Sequence, residues 1–246
     1  MRLPNIPKHI LFPQSIPEAA EIQRTLAKSV ISADQYAAPN IVAGVDVSNN
    51  LYDPAQMVYA GVVNLHYPGC TLFETAHAAA KQTLAYQPGF LGFREVPVIL
   101  QAFEKLKNKP DLILVDGHGI SHPRRFGIAT HLGVLLDLPT IGVAKSILVG
   151  KPAAELGPNP GDAVPLVWHG ETIGILFRSK KRANPLIISV GHRISLDSAL
   201  QIVKSCLKTY RLPEPTRHAH LAANHARTSL PPIGNRGFLP HNHQNF

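Results

Sequence analysis

Three acidic residues occupy positions where a carboxylate invites chemistry. Asp46 interrupts the apolar run AGVDV, Asp116 ends the apolar run LILVD, and Glu95 lies in GFREVPVIL. A carboxylate among apolar strand residues faces either the core or a site, and a buried charge is costly unless a cation or metal partners it. Asp116 is followed by Gly-His-Gly, at the strand end where open α/β sheets place their ligands. Each acid also has an ordinary reading. Asp46 can lead into the Ser48-Asn49-Asn50 turn, Asp-Gly is a common turn pair, and Glu95 suits a helix N-terminus. Together they say more. If 41–47 and 112–116 are neighbouring strands, Asp46 and Asp116 approach each other, and Glu95 joins from an adjacent helix. Hard oxygen donors without thiolates suit Mg²⁺ or Mn²⁺ better than Zn²⁺. Such a cluster activates water and stabilises the leaving oxygen of a phosphodiester.

Basic residues supply the complementary half of a nucleic-acid site. Arg124 and Arg125 precede a helical pattern at Ile128, a place suited to phosphate. Lys145 ends the strand 139–144 at the same sheet edge as Asp116. Lys180, Lys181 and Arg182 either track a backbone or keep a loop soluble. Tyr86, in AYQPGFLGF, either wedges between bases or packs on the core. Other patterns fail. Gly117-His118-Gly119 lacks the third glycine of a dinucleotide loop, Gly150-Lys151 is followed by proline and makes no phosphate loop, and His118 and His122 are separated by a loop rather than a helical turn.

The elements that position these residues follow from periodicity. Residues 15–31 read as a helix, with Ser15 and Glu18 as a capping pair and Pro17 in its first turn. Strands at 41–47, 58–65 and 71–78 form an antiparallel meander around a Tyr-Pro-Gly turn. Apolar spacing predicts a helix over 93–106 with Pro97 near its start, then a buried strand at 111–115, a helix at 128–136 and a buried strand at 139–144. Strands at 164–168, 172–177 and 186–189 and a helix from about 195 to 207 follow. The expected fold is a mixed α/β sheet, meander first and parallel strands after, flanked by helices.

Length and composition set the frame. The 246 residues, 45% hydrophobic, suffice for one large domain with a real core. Two cysteines, Cys70 and Cys206, do not make a disulfide scaffold, and a reducing cytoplasmic setting fits them. No apolar run nears the ~18 residues that span a bilayer, and the proline-broken N-terminus does not read as a secretory signal. The net charge of +8 is uneven: residues 178–246 carry 11 Lys and Arg against 2 acids. That asymmetry points to a polyanionic partner.

The stretches YQPGFLGFREVPVILQAF (86–103) and PDLILVDGHGISHPRRFGIATHLGVLLDLPTIGVAKSIL (110–148) resemble endonuclease V, the deoxyinosine-specific nuclease family. AGVDVS (43–48) and PTRHAH (215–220) are similar to its first and last motifs, and the likeness runs over about 15–225. The resemblance implies an RNase H-like fold and a catalytic domain over 1–228, with 229–246 as a flexible tail. It implies that Asp46, Glu95 and Asp116 hold Mg²⁺, with Mn²⁺ as a substitute. His122 and Lys145 fall near the reacting phosphate, and His220 is a late active-site histidine. Tyr86 is the wedge, Gly89, Leu91, Gly117 and Ile128 form the hypoxanthine pocket, and the flipped base is read there by its edge. The implied reaction cuts the second phosphodiester bond 3′ to deoxyinosine in DNA, leaving 3′-hydroxyl and 5′-phosphate ends, by a monomeric repair enzyme. Rival readings are an inosine-specific ribonuclease of the same fold and a non-catalytic nucleic-acid-binding protein. Ala85 departs from the family's Pro-Tyr-x-Pro wedge and removes one fixed φ.

Overall fold

The computed structural model describes residues 1–50, 53–82, 84 and 87–229. A single turn, α1 (Lys8–Leu11), precedes α2 (Ile16–Ala27), where Ser15 Oγ accepts from the backbone N–H of Glu18 at 3.2 Å. The capping pair therefore sets the start of α2, which ends four residues before the expected position 31. The meander comes next: β1 (Ile41–Asn49), β2 (Met57–His66) and β3 (Thr71–Lys81) pair antiparallel. Helix α3 (Leu91–Glu104) begins two residues earlier than its apolar spacing suggests, so Pro97 lies inside it rather than in its first turn.

Then β4 (Leu112–Val115), α4 (Ile128–Leu136) and β5 (Thr140–Ala144) form a strand–helix–strand unit, and β1, β4 and β5 run parallel. A two-residue β6 (Lys151–Pro152), β7 (Ala163–Trp168), β8 (Glu171–Phe177) and β9 (Leu186–His192) complete the sheet antiparallel. The nine strands are ordered β3-β2-β1-β4-β5-β9-β8-β7-β6. Two helices close the described chain, α5 (Leu196–Ser205) and α6 (Glu214–Ser229).

Alternate residues of each central strand feed opposite cores. Ala43, Val45, Ile113 and Val115 pack with Val96, Ile99 and Phe103 of α3 and Leu132 of α4. On the other face Val42, Leu112, Leu114 and Ile141 pack with Val203 of α5 and Ala219 of α6. This mixed sheet between helices is the RNase H-like arrangement.

Helix α6 is the main element that apolar periodicity does not announce, along with the short α1 and β6. Its buried residues are mostly small: Ala219, Ala223 and Ala226 are fully buried. They meet a strand surface stripped of side chains. A Cβ on Gly44 would lie 1.9 Å from the Pro215 carbonyl oxygen, and one on Gly61 would lie 2.4 Å from the Ala223 nitrogen. Glycines on β1 and β2 thus let α6 lie flat against the sheet. Ser229, expected to open the tail, closes this helix, and the remainder of that segment lies outside the described residues. Among the described residues, no helix is long and apolar enough to cross a membrane.

Candidate active site

Parallel register carries the two aspartates to one edge. Val45 of β1 pairs with Val115 of β4, and the Asp116 N–H donates to the Val45 carbonyl at 2.9 Å. Asp46 and Asp116 are the next residues on each strand, in phase with Gly44 and Leu114, the residues that face α6 and its core. Nearly two turns into that helix, His220 reaches back to them. Asp46, Asp116 and His220 each offer a ligand atom, and these atoms all lie within 4.8 Å of one another.

The cluster is wired by directional hydrogen bonds. Asp46 Oδ1 accepts from the Val47 N–H at 2.8 Å, and Oδ2 lies 2.7 Å from His220 Nδ1. Asn224, one turn further along α6, stands 3.0 Å from His220 Nε2. The chain continues from Asn224 Oδ1, which accepts from Ser48 Oγ at 2.8 Å, while Ser48 Oγ accepts from Arg227 Nε at 2.9 Å. Because Asn224 Oδ1 takes the Ser48 proton, its Nδ2, which can only donate, is the atom facing His220. Asn224 Nδ2 donates to His220 Nε2, and the ring proton sits on Nδ1, facing Asp46. Asp116 forms an ion pair with Lys145, the residue just past β5.

Like charges in a half-closed space disfavour ionisation. Burial, then the neighbouring Asp116, pushes Asp46 up to about 6, against the His220 hydrogen bond and the Lys145 charge. Glu95, in the first turns of α3, is pushed up to about 8 by burial, with Arg94 opposing and Asp46 and Asp116 adding to the rise. Glu95 therefore stands within electrostatic reach of both aspartates but outside the tight ligand group. Carboxylates that resist ionisation beside one another are relieved by a multivalent cation, and the oxygen donors of Asp46 and Asp116 suit a hard divalent one, while His220, both of whose ring nitrogens are engaged, orients Asp46.

Beside the acids lies a cavity whose walls include Gly89, Leu91, Gly117, His118, His122 and Ile128. The four residues expected to form a base pocket thus meet in one place. Gly117 needs its lack of a side chain, since a Cβ would come within 2.4 Å of Ile128 Cγ2. His118 and His122 are both lowered to about 4, by burial in each case and additionally by the Arg124 charge for His122, so both are neutral at pH 7. His122 lies in the cavity wall, 3.0 Å from the Gly89 carbonyl. Arg124 turns inward over the Phe90 ring, at 4.2 Å from its centroid. Arg125 pairs with Glu171 at 2.6 Å. Lys181 and Arg182 lie in an exposed turn, where Arg182 takes φ +61°. Tyr86 and Ala85 lie outside the described residues.

Asn224, Ser48 and Arg227 escaped the sequence reading. Once 214–229 is known to be helical, the four-residue step from His220 to Asn224 places both on one face.

Comparisons with known proteins agree with this geometry. The family model described as Endonuclease V matches residues 24–221. Endonuclease V of Protochlamydia amoebophila is 51% identical over 220 residues, spanning 89% of this chain and 94% of that protein. The crystal structure of endonuclease V from Streptomyces avermitilis superposes with a TM-score of 0.83 at 37% identity, covering 91% of this chain and 96% of that one. Ciona intestinalis endonuclease V, solved with a 24mer DNA containing an inosine followed by a ribo-adenosine, has a TM-score of 0.76 at 29% identity, covering 87% of this chain and 98% of that one. With two aspartates on adjacent parallel strand ends, a histidine from the last helix and a match over most of its length, the chain belongs to the endonuclease V family of DNA-repair nucleases.

Proposed function

We propose that this protein cuts the second phosphodiester bond on the 3′ side of deoxyinosine in DNA, leaving 3′-hydroxyl and 5′-phosphate ends. The observation that carries the reading is the convergence of Asp46, Asp116 and His220 within 4.8 Å beside a cavity to whose wall Gly89, Gly92, Gly117 and Gly127 bring bare backbone. A cavity of that make-up suits a flipped base read by its edge, and the inosine-containing DNA bound to the Ciona relative supports the same class of substrate.

Asp46 and Asp116 would hold Mg²⁺, or Mn²⁺ in its place, with Glu95 completing the acidic set. The cation, when bound, supplies positive charge at the phosphate and favours deprotonation of water. In the reaction a water oxygen bonds to phosphorus, the bond from phosphorus to O3′ breaks, and O3′ leaves with a proton. Lys145, joined to Asp116, is placed to orient or polarise the attacking water. His220, with its proton on Nδ1, orients Asp46 and stands ready to assist proton transfer or contact phosphate. Gly89, Leu91, Gly117 and Ile128 would enclose the base, His122 in the same cavity wall would serve the reacting phosphate, Tyr86 would fill the gap the base leaves, and Arg124 and Arg125 would serve the substrate-binding face. The reading takes the protein as a monomer of the reducing cytoplasm, to which two buried free cysteines are suited.

A nicking assay tests this on an end-labelled duplex with one deoxyinosine and Mg²⁺, beside an undamaged duplex and the Asp46→Ala protein. A product cut one bond beyond the lesion's 3′ neighbour linkage, absent with Asp46→Ala, is the expected result. Cleavage of an inosine RNA strand instead would make the protein a ribonuclease. Binding without cleavage of either would make it a nucleic-acid-binding protein.

A further inference from the structure

The positive charge of the chain's last third gathers at the sheet edge that carries the acids. Residues 178–213 hold eight Lys and Arg against one acid. Most lie on two loops, 178–185 between β8 and β9 and 206–213 between α5 and α6. Hydrogen bonds knit the loops together. Ser179 Oγ donates to the Arg211 carbonyl at 2.6 Å, and Lys180 Nζ donates to the Thr209 carbonyl at 3.1 Å.

Arg211 is the fixed point of this patch. Its Nε donates to the Asn184 carbonyl at 2.7 Å, and its Nη2 donates to the carbonyls of Pro185 at 3.0 Å and Lys145 at 3.4 Å. All three partners are neutral. Among the described residues Nη1 makes no hydrogen bond, and no carboxylate pairs with Arg211 or Lys180, whereas Arg125 and Arg193 each have one. Burial lowers the pKa of Arg211 and the Asp116 charge opposes that, so the guanidinium stands within electrostatic reach of the acid. A guanidinium held by neutral carbonyls keeps its charge and loses little freedom on meeting a phosphate. Tyr210 beside it is 55% exposed, an aromatic among cations of the kind that suits a nucleic-acid strand.

The fold gives the patch a direction. The cavity lies at the starts of α3 and α4, which pack on one face of the sheet. The Arg211 loop joins α5 to α6, which pack on the other face. Asp46, Asp116 and His220 lie at the edge between, on the α6 side. With the lesion base in the cavity and the second 3′ bond at the acids, a strand that crosses the edge continues past Lys145 to Arg211. We propose that Arg211, with Lys180 from the neighbouring loop, grips the phosphate next beyond the scissile one on the 3′ side. A base held in the cavity and a phosphate held at Arg211 then fix which bond lies over Asp46 and Asp116. This role rests on the proposed cut 3′ to a deoxyinosine.

Single-turnover cleavage of a deoxyinosine oligonucleotide with Mg²⁺ and excess protein tests it, with one phosphate replaced by an uncharged methylphosphonate. The replacement is placed either just beyond the scissile phosphate or on the 5′ side of the lesion. For the unaltered protein the 3′ replacement raises the half-saturating protein concentration about tenfold, while the saturated rate stays within about threefold. Arg211→Met shows that same rise on the unmodified strand and no further rise on the 3′-replaced one. Both proteins respond alike to the 5′ replacement. Arg211→Lys, which keeps the charge without the fork, recovers part of the loss. Indifference of the unaltered protein to the 3′ replacement overturns the role without any variant having to fold. Equal 3′ penalties in the unaltered and Arg211→Met proteins overturn it too, as does a loss confined to the saturated rate, which a displaced Lys145 would cause. A response lost at the 5′ position instead overturns the direction. Failure of the unaltered protein to cut the unmodified strand overturns the proposed function and this role together.

Discussion

His220 Nδ1 lies 2.7 Å from Asp46 Oδ2, although 174 residues separate the two in sequence. The contact joins the last helix to the first strand and depends on a row of donors running back through Asn224 and Ser48 to Arg227. The row makes His220 a donor to Asp46, so one tautomer of the ring is built into the fold.

That row predicts a measurable tautomer. In ¹⁵N-resolved imidazole spectra of the metal-free protein, His220 shows its proton on Nδ1. Asn224→Ala removes the donor to Nε2 and lets the ring exchange tautomers. Cleavage then slows about three- to tenfold, with a stability loss of about 1 kcal/mol in denaturant titration.

Metal and pH are coupled with a definite sign. Asp46 and Glu95 have folded values of about 6 and about 8, above their ordinary 3.8 and 4.5. The folded state therefore holds more protons than the unfolded one across that window, and stability falls as pH rises through it. With a chelator present, Tm should drop between pH 4 and pH 8, as read by differential scanning fluorimetry. Mg²⁺ should raise Tm more at pH 8 than at pH 5, because it binds the deprotonated acids. Asp46→Asn should flatten the chelated profile and abolish cleavage.

Lys145 is paired with Asp116 while still 39% exposed, so its loss need not empty the core. Lys145→Met should leave the thermal midpoint within a few degrees and slow cleavage by about a hundredfold, in the range typical for a lost proton-handling group. Rate measurements at saturating substrate, beside a melting curve, separate the two effects.

Gly44 is the contact point between β1 and α6. Gly44→Ala drives a Cβ to 1.9 Å from the Pro215 carbonyl oxygen, a backbone atom that cannot swing aside. A loss of about 3 kcal/mol or more in urea unfolding should result. Metal affinity, measured by calorimetry on the folded fraction, should also weaken as His220 moves away with its helix.

His131 is 1% exposed, and neither ring nitrogen has a hydrogen-bond partner among the described residues. Burial lowers it to about 3, below the ordinary 6.5, so the stability it permits above pH 6.5 is lost as pH falls toward 3. Replacing it by an apolar side chain removes that penalty. His131→Leu should stabilise the protein by about 1 kcal/mol at pH 7 and by more at pH 5, measured by urea titration at each pH.

The order of strands and helices from Ile41 to Phe177, the two-residue β6 aside, is legible locally, because period-2 and period-3.6 patterns and turn residues act over a few neighbours. The types of Asp46 and Asp116 likewise announce a cation site, since isolated acids in apolar strands need a partner. What lies beyond local pattern is contact at a distance. Helix α6 hides its role because its buried face is alanine against the glycines of β1 and β2, and close backbone approach leaves little hydrophobic periodicity to read. Gln23 hides for a related reason: in the sequence it is one polar residue on an amphipathic helix, and only packing turns it inward, 1% exposed, to donate to the Gly89 and Phe126 carbonyls. Residue chemistry set by sequence thus determined which groups were available. Tertiary packing decided which of them meet, because hydrogen bonds between residues over a hundred positions apart exist only once the sheet and its last helix are in place.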